Sequence, residues 1–418
     1  MREMKDSGIE WVKSIPNNWE VKKGKYCLQC VQKPVKKDDD VITCFRDGEV
    51  TLRSKRREDG FTISMKEIGY QGIDVGDLIV HGMDGFAGAI GISDSRGKAS
   101  PVLNVLETNN NKRYIMYYLR SMAYNGIFLA LLTGVRVRTC DTNWGKLREL
   151  PYIIPPKNDQ DNIVSYLDSK CSEIDSLTDD IQSQIITLEE YKKSIISEVV
   201  AKGLDSNVDM KDSGIEWVGT IPKHWIVEKI KYHLQRKEPR NPGDVQVLSV
   251  YREYGVIPKD SRDDNHNVTS EDTSKYKYVK PGNLVINKMK AWQGSLAISE
   301  YEGIVSPAYF IYHFIDDVFN KKYFHYLIRS CYKDEFRRIS TGIREGQWDL
   351  PSRDFENELV LIPPKNEQND IVNYLDSKCS EIDAIIQTKK EQLDVLAEYK
   401  KSLIYEYVTG KKEVPVNE

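Results

Sequence analysis

The sequence predicts a mixed α+β chain: two α/β globular segments rich in short strands, and two long helices that pair with each other. Three observations carry this. A passage from Ile154-Pro155-Pro156-Lys157-Asn158 to Glu190-Tyr191-Lys192-Lys193-Ser194 recurs from Ile362-Pro363-Pro364-Lys365-Asn366 to Glu398-Tyr399-Lys400-Lys401-Ser402. Within each copy, apolar residues repeat at heptad spacing with no interior Gly or Pro. The stretches between are β-branched runs bounded by Gly and Asp, the pattern of short strands and turns.

A chain of 418 residues forms more than one core, since single cores stop growing at roughly 250–300 residues. Its composition, 40% hydrophobic and 30% charged, is that of a globular protein and gives no disordered bias. A net charge of −4 argues against a protein basic throughout, although acidic helices can mask basic surfaces elsewhere. The start, Met1-Arg2-Glu3-Met4-Lys5-Asp6, leads into no apolar run, and no stretch reaches the ~20 apolar residues of a membrane span. The seven cysteines are odd in number and scattered, so they read as reduced thiols in a cytoplasmic protein.

Taken in order, Met4-Lys5-Asp6-Ser7-Gly8-Ile9-Glu10-Trp11-Val12 recurs letter for letter as Met210 to Val218. Each copy continues into Ile-Pro, a Trp and Lys-Tyr-x-Leu-Gln: Ile15-Pro16, Trp19 and Lys25 to Gln29, then Ile221-Pro222, Trp225 and Lys231 to Gln235. The offset is 206 residues here and 208 at the helices, so this is a duplicated half-protein. A solenoid would repeat every 20–50 residues or so. Gly and Pro set a turn, and Trp and Val are expected to cover a neighbouring helix end.

Val41 to Phe45 and Gly76 to Val80 read as strands, answered by Val245 to Val250 and Gly282 to Ile286. Here the likeness is faint but in register: Gly88 matches Gly294, Ile92 matches Ile298, and Ser100-Pro101 matches Ser306-Pro307. A Tyr-rich amphipathic helix follows in each half, around 114–124 and 321–336, ending at Thr133-Gly134-Val135-Arg136 and Thr341-Gly342-Ile343-Arg344.

In the first long helix, Leu167, Ile174, Ile181, Leu188 and Ile195 recur every seven residues. Cys171, Leu177, Ile185, Tyr191 and Val199 are expected in the second seam position. The other copy offers Leu375, Ile382, Leu396 and Leu403, with Cys379, Ile386, Leu393 and Tyr407 between them. Lys389 falls at a core-type position, where a polar residue pins register at a cost in stability. Asn158 and Asn366 are expected as N-caps after the Pro-Pro pairs, and Gly203 and Gly410 as closures. Each helix of ~40 residues spans ~60 Å. An amphipathic helix of this kind needs a partner, and the other copy supplies one.

No catalytic constellation holds. Gly91 to Lys98 superficially resembles a phosphate loop, but Ala99 stands where Ser or Thr would ligate magnesium. The Pro-Pro pairs follow Ile, not the Asn or Asp of base methyltransferases. Cys27-x-x-Cys30 lacks a second ligand pair, and the six histidines show no metal spacing. No metal site and no catalytic residue is expected. The chain reads as a binding subunit.

Binding signals lie where the copies disagree. The first half has Arg53, Lys55, Arg56 and Arg57, then Arg136 and Arg138. The second has Tyr251, Arg252, Lys288, Lys290, Trp292 and Arg344. Basic side chains near Gly-rich turns reach phosphates, and Arg reads base edges in the major groove. Similar helices with unlike inserts give a pseudo-twofold frame presenting two different surfaces, so the expected target is two unlike short DNA sequences. A dimeric reader would instead take a palindrome.

The duplicated Lys-Asp-Ser-Gly-Ile-Glu-Trp-Val, the Thr-Gly-x-Arg turns, the Ile-Pro-Pro-Lys-Asn entries and the twin helices ending in Glu-Tyr-Lys-Lys-Ser resemble the specificity (S) subunits of Type I restriction-modification enzymes. The resemblance covers nearly the whole chain. It implies target recognition domains at 1–155 and 205–363, and spacer helices at 156–204 and 364–418. The helices would pack as an antiparallel coiled coil, with Leu167, Ile174, Ile181, Leu188, Leu375, Ile382, Leu393, Leu396 and Leu403 in the seam. It further implies double-stranded DNA as ligand, with each domain reading half of a bipartite target and the coiled coil setting the gap. Two methyltransferase subunits carrying S-adenosylmethionine would methylate adenine, and restriction subunits using ATP and magnesium would cleave foreign DNA. No cofactor is expected on this chain itself. The runner-up reading is a protein-binding scaffold that touches no nucleic acid.

Overall fold

A computed structural model describes residues 2–56, 67–130, 142–243, 245–252, 254–261, 272–342 and 348–415. The chain divides into two compact units, Met1–Gln182 with Lys390–Glu418, and Ser183–Lys389. Both boundaries fall inside long helices, Lys157–Lys202 and Lys365–Val408. Each unit therefore owns half of each helix.

In the first unit a four-stranded antiparallel sheet has the order Gln29–Val31, Leu103–Glu107, Leu78–His81, Ile90–Ile92. Leu78 and Val80 belong to one core with the helix Lys112–Tyr124, while Ile79 belongs to a smaller core with Ile42, Val50 and Ile73. This is the two-residue alternation of a strand buried on both faces. A hairpin, Ile42–Cys44 with Val50–Leu52, contributes to that smaller core.

The second unit repeats the plan. Its sheet runs Leu234–Arg236, Tyr309–Phe314, Leu284–Asn287, Leu296–Ile298, and its hairpin is Leu248–Tyr251 with Gly255–Pro258. Leu284 and Ile286 face the helix core and Val285 the smaller one.

The Tyr-rich helices are held to the long ones by repeated bonds. Asn111 caps Lys112–Tyr124 and Asn320 caps Lys321–Ser330, each accepting two backbone N–H groups. The backbone N–H of Asn111 donates to buried Gln160 at 2.9 Å, and that of Asn320 to buried Gln368 at 2.7 Å. Tyr117 donates to Asp168 at 2.7 Å and Tyr326 to Asp376 at 2.8 Å. The repeated Trp19 and Trp225 are fully buried and donate to Asp159 and Glu367 in the first turns of the long helices.

Within each unit the helix halves run antiparallel. In the first, Tyr166 packs on Tyr407 with centroids 4.6 Å apart, and Lys400 bonds Asp175 at 2.5 Å. In the second, Lys389 donates to Gln184 at 2.5 Å and Lys192 pairs with Asp383 at 2.5 Å. Leu167, Ile174, Ile181, Leu375, Ile382 and Leu403 are buried, and Leu188, Leu393 and Leu396 are half-buried.

Two details correct the sequence reading. Leu177 and Tyr191 are exposed rather than in the seam. The positions that alternate by three and four residues are Cys171, Ile174, Thr178, Ile181, Ile185, Leu188, Lys192, Ile195 and Val199, so Thr178 and Lys192 stand there, half-buried. One residue is about 100° of helix, so an apolar side chain one step off the repeat faces another direction. Asn158 and Asn366 also lie inside helices that begin at Lys157 and Lys365, so neither is the cap. In the first turns Gln160 and Gln368 donate to the Pro155 and Pro363 carbonyls at 2.8 Å, which ties down the chain entering each helix. Gly203 and Gly410 do close the helices, with φ of 78° and 71°.

Candidate nucleic-acid interface

Arg46 and Arg56 in the first unit, and Arg252 and Lys290 in the second, stand at two adjoining turns: the tip of the small hairpin and a 3₁₀ turn after the second sheet strand. In the first unit these are residues 45–49 and Gly85–Ala87; in the second, the tip between Tyr251 and Gly255 and Ala291–Gln293. Gly88 and Gly294 end the 3₁₀ turns at φ of 98° and 90°, a region costly for any side chain.

In the first unit Arg46, on the hairpin tip, pairs with Asp84 at 2.9 Å and keeps 69% of its side chain exposed. Arg56 clamps Asp47 at 2.6 Å and Glu49 at 2.7 Å and lies over the Phe45 ring. Burial alone would push the Asp47 carboxyl up, but Arg56 and the Glu49 amide hold it below the usual carboxylate range. Lys55 bonds Ser95 at 2.7 Å and Asp94 at 3.3 Å, and Arg53 donates to Thr43 at 2.9 Å. Thr142 ties the 3₁₀ turn down by donating its hydroxyl to the His81 carbonyl at 2.7 Å. Arg57, Arg136 and Arg138 lie outside the described residues.

In the second unit Arg252 bonds Gln293, joining hairpin tip to 3₁₀ turn, and Arg329 donates to the Arg252 carbonyl. Tyr251, half-buried, ends the hairpin strand. Lys288 pairs with Asp349 at 2.8 Å, while Lys290 and Met289 are exposed. Trp292 stacks on Trp348 with centroids 5.2 Å apart, and the Arg337 guanidinium lies 5.9 Å and 5.7 Å from the two rings. Arg344 lies outside the described residues.

The structure thus brings Arg252, Lys288, Lys290 and Trp292 into one surface, and Arg56 onto the turn that bears Arg46. Sequence reasoning missed Arg46, Arg337 and Trp348. Arg46 was findable, because it stands 206 residues before Arg252 in the same register as Gly88 and Gly294. Arg337 and Trp348 come from a helix and a loop far along the chain, and only packing joins them to Trp292.

A second repeated surface lies on the long helices. Leu177 and Ile385 stand at equivalent positions, 47% and 46% exposed, as do Tyr191 and Tyr399, 54% and 53% exposed. In the first unit the Asp175–Lys400 pair sets a register that brings Leu177 level with Tyr399; in the second, Lys192–Asp383 does so for Tyr191 and Ile385. All four immediately precede a seam position, so within each unit the two residues flank one side of its antiparallel helix pair. No helix among the described residues is long and apolar enough to cross a membrane.

Residues 227–395 match the family model of the Type I restriction modification DNA specificity domain. Over 436 aligned positions the chain is 23% identical to a protein assigned as the MjaX type I restriction enzyme specificity subunit of Methanocaldococcus jannaschii, covering 96% of this chain and 95% of that one. It is 24% identical to the MjaVIII specificity subunit of the same organism, over 76% and 75% of the two chains. The fold is similar to a chain from a study of complex assembly and conformational transition in a type I R-M system, with a TM-score of 0.68, 12% identity, and coverage of 95% and 99%. It is also similar to the HsdS subunit from Thermoanaerobacter tengcongensis, with a TM-score of 0.51, 13% identity, and coverage of 95% and 98%. Residues 227–395 thus match that domain, and the whole chain, with its duplicated frame and twin helices, is similar in sequence to specificity subunits of type I restriction enzymes and in fold to an HsdS subunit.

Proposed function

We propose that each unit reads one half of a bipartite, asymmetric DNA target through the hairpin tip and the adjoining 3₁₀ turn, and that the paired helices set the gap between half-sites. The observation that carries this reading is a shared frame bearing unlike side chains at one place. The first unit offers Met83-Asp84-Gly85-Phe86 where the second offers Met289-Lys290-Ala291-Trp292. Arg46 and Arg252 anchor the two turns alike, so the difference lies in what the turns present.

The exposed flank that bears Leu177, Tyr399, Tyr191 and Ile385 supports docking of two copies of one partner, because the two units match there and differ at the turns. The partners this reading calls for are methyltransferase subunits holding S-adenosylmethionine, joined by restriction subunits that use ATP and magnesium. The chain contributes recognition and no reacting group.

Sequencing of methylated adenines in DNA from cells carrying the assembled system tests the reading. The expected result is two unlike short sequences at one fixed gap. A palindromic target would overturn the division of labour, and an assembled complex that neither binds nor marks DNA would restore the scaffold reading.

A further inference from the structure

The turns of the two units present unlike side chains on one backbone, yet one exposed apolar residue recurs in both. Met83 stands two residues before Gly85–Ala87, and Met289 two before Ala291–Gln293. They lie 206 residues apart and are 54% and 43% exposed. Their neighbours differ: Asp84 against Lys290, Gly85 against Ala291, Phe86 against Trp292. Among the described residues, no other exposed large apolar side chain of these turns has a counterpart in the other unit.

The backbone beside both methionines is tied in the same way. Ala87 donates to the Asp84 carbonyl at 2.9 Å, and Gln293 to that of Lys290 at 3.0 Å. Ala89 and Ser295 close the turns onto the same two carbonyls at 3.2 Å and 3.1 Å. Local anchors then hold each entry. His81 Nδ1 accepts from the Met83 and Asp84 amides at 3.2 Å and 3.0 Å, and the Trp292 indole donates to the Met289 carbonyl at 3.2 Å. A single exposed methionine would need no account. Two in one register, set among residues that differ, do need one.

The function proposed above gives the units different bases to recognise but one step in common. Enzymes that methylate a base take it out of the stack, and each half-site would hold an adenine for the same kind of partner. The departing base leaves a gap between its stacked neighbours. Proteins insert apolar side chains, Met among them, at such unstacked steps. The three rotatable bonds of Met suit an irregular space. Arg46, bonded to Asp84, and Lys290, next to Met289, are exposed beside these residues and offer cations to the flanking phosphates.

We infer that Met83 and Met289 enter the duplex as matching wedges, each filling the space that the adenine of its half-site leaves when it is extruded. The shared residue then serves the shared step, and the unlike residues around it serve the unlike sequences. The inference rests on the proposed role of these turns in reading DNA.

The test uses the full chain assembled with its methyltransferase subunits. Duplexes carry 2-aminopurine, whose fluorescence rises when it leaves the stack, at the target adenine of one half-site or the other, as located by the methylation sequencing above. Met83→Ala should cut the rise about fivefold or more at one half-site and spare the other, and Met289→Ala should do the reverse. Met83→Leu and Met289→Leu keep an apolar wedge and should restore most of it. Thermal unfolding should not shift, since both positions are exposed. A full rise in both alanine variants, or a parent complex that binds DNA with no rise, would overturn the inference and leave the proposed function standing. So would a loss of binding in the alanine variants that uracil in place of the half-site thymines reproduces, since the methionines would then be groove contacts to thymine methyls. A parent complex that binds no DNA would overturn both.

Discussion

Trp19 donates its indole N–H to the carboxylate of Asp159 at 3.1 Å, and the acceptor sits in the first turn of a 46-residue helix. Trp225 makes the same bond to Glu367 at 2.9 Å. An acid in a first turn is favoured by the helix dipole, and here it also satisfies a buried indole. The repeated Ile-Pro-x-x-Trp therefore ties each globular part to the start of its long helix. Trp19→Phe removes the bond and part of the ring while Asp159 stays partly exposed, so a loss of about 1–3 kcal/mol is expected by denaturant unfolding.

The seam and its flank should separate cleanly under mutation. Leu167→Ala and Leu375→Ala open cavities at fully buried positions and should each cost about 2–5 kcal/mol. Leu177→Ser and Ile385→Ser remove exposed side chains, so unfolding should shift by no more than about 0.5 kcal/mol. If the flank docks a partner, the same pair should weaken co-purification with methyltransferase subunits. A stability loss comparable to that of Leu167→Ala would return Leu177 to the seam.

Lys389 is the one charged residue in the series Leu375, Ile382, Lys389, Leu396, Leu403. It reaches out to Gln184 while its stem stays half-buried. Lys389→Leu should raise the unfolding midpoint, because a polar seam residue costs stability while fixing register. A lowered midpoint in a correctly folded variant would show that the Gln184 bond outweighs the apolar gain.

At the proposed interface, removing a phosphate contact should weaken binding evenly across sequences and lower the salt slope by about one. Arg46→Ala and Lys290→Ala are the tests, since both side chains are exposed. Arg56 is already clamped by Asp47 and Glu49, so Arg56→Ala should reduce the slope less than Arg46→Ala. Removing one heptad from each long helix shortens them by ~10 Å, about three base pairs at 3.4 Å each, and the preferred gap should contract to match.

Glu358 gives the second unit a pH dependence. Burial, reinforced by Glu335, pushes its carboxyl up from 4.5 to about 7. The folded chain holds that proton more tightly than the unfolded chain does. The stabilisation is therefore fully present below the unfolded value and is lost as pH rises through about 7. Glu358→Gln should flatten the thermal midpoint between these limits and raise it above neutral pH. A profile identical to that of the parent would rule the residue out as the source.

The sequence by itself determined the duplication, the two long helices and the strand-rich segments, because heptad spacing and β-branched runs are local signals that need no partner to be read. It also located the divergent basic stretches of each half. It misplaced Leu177 and Tyr191, since apolarity is a property of a residue while facing the seam is a property of its angle around the helix. Tertiary structure alone decided that Arg56 is spent on Asp47 and Glu49, and that Arg337 and Trp348 join Trp292. Each of these depends on which distant segments packing brings within a few ångströms, and no spacing along the chain encodes that distance.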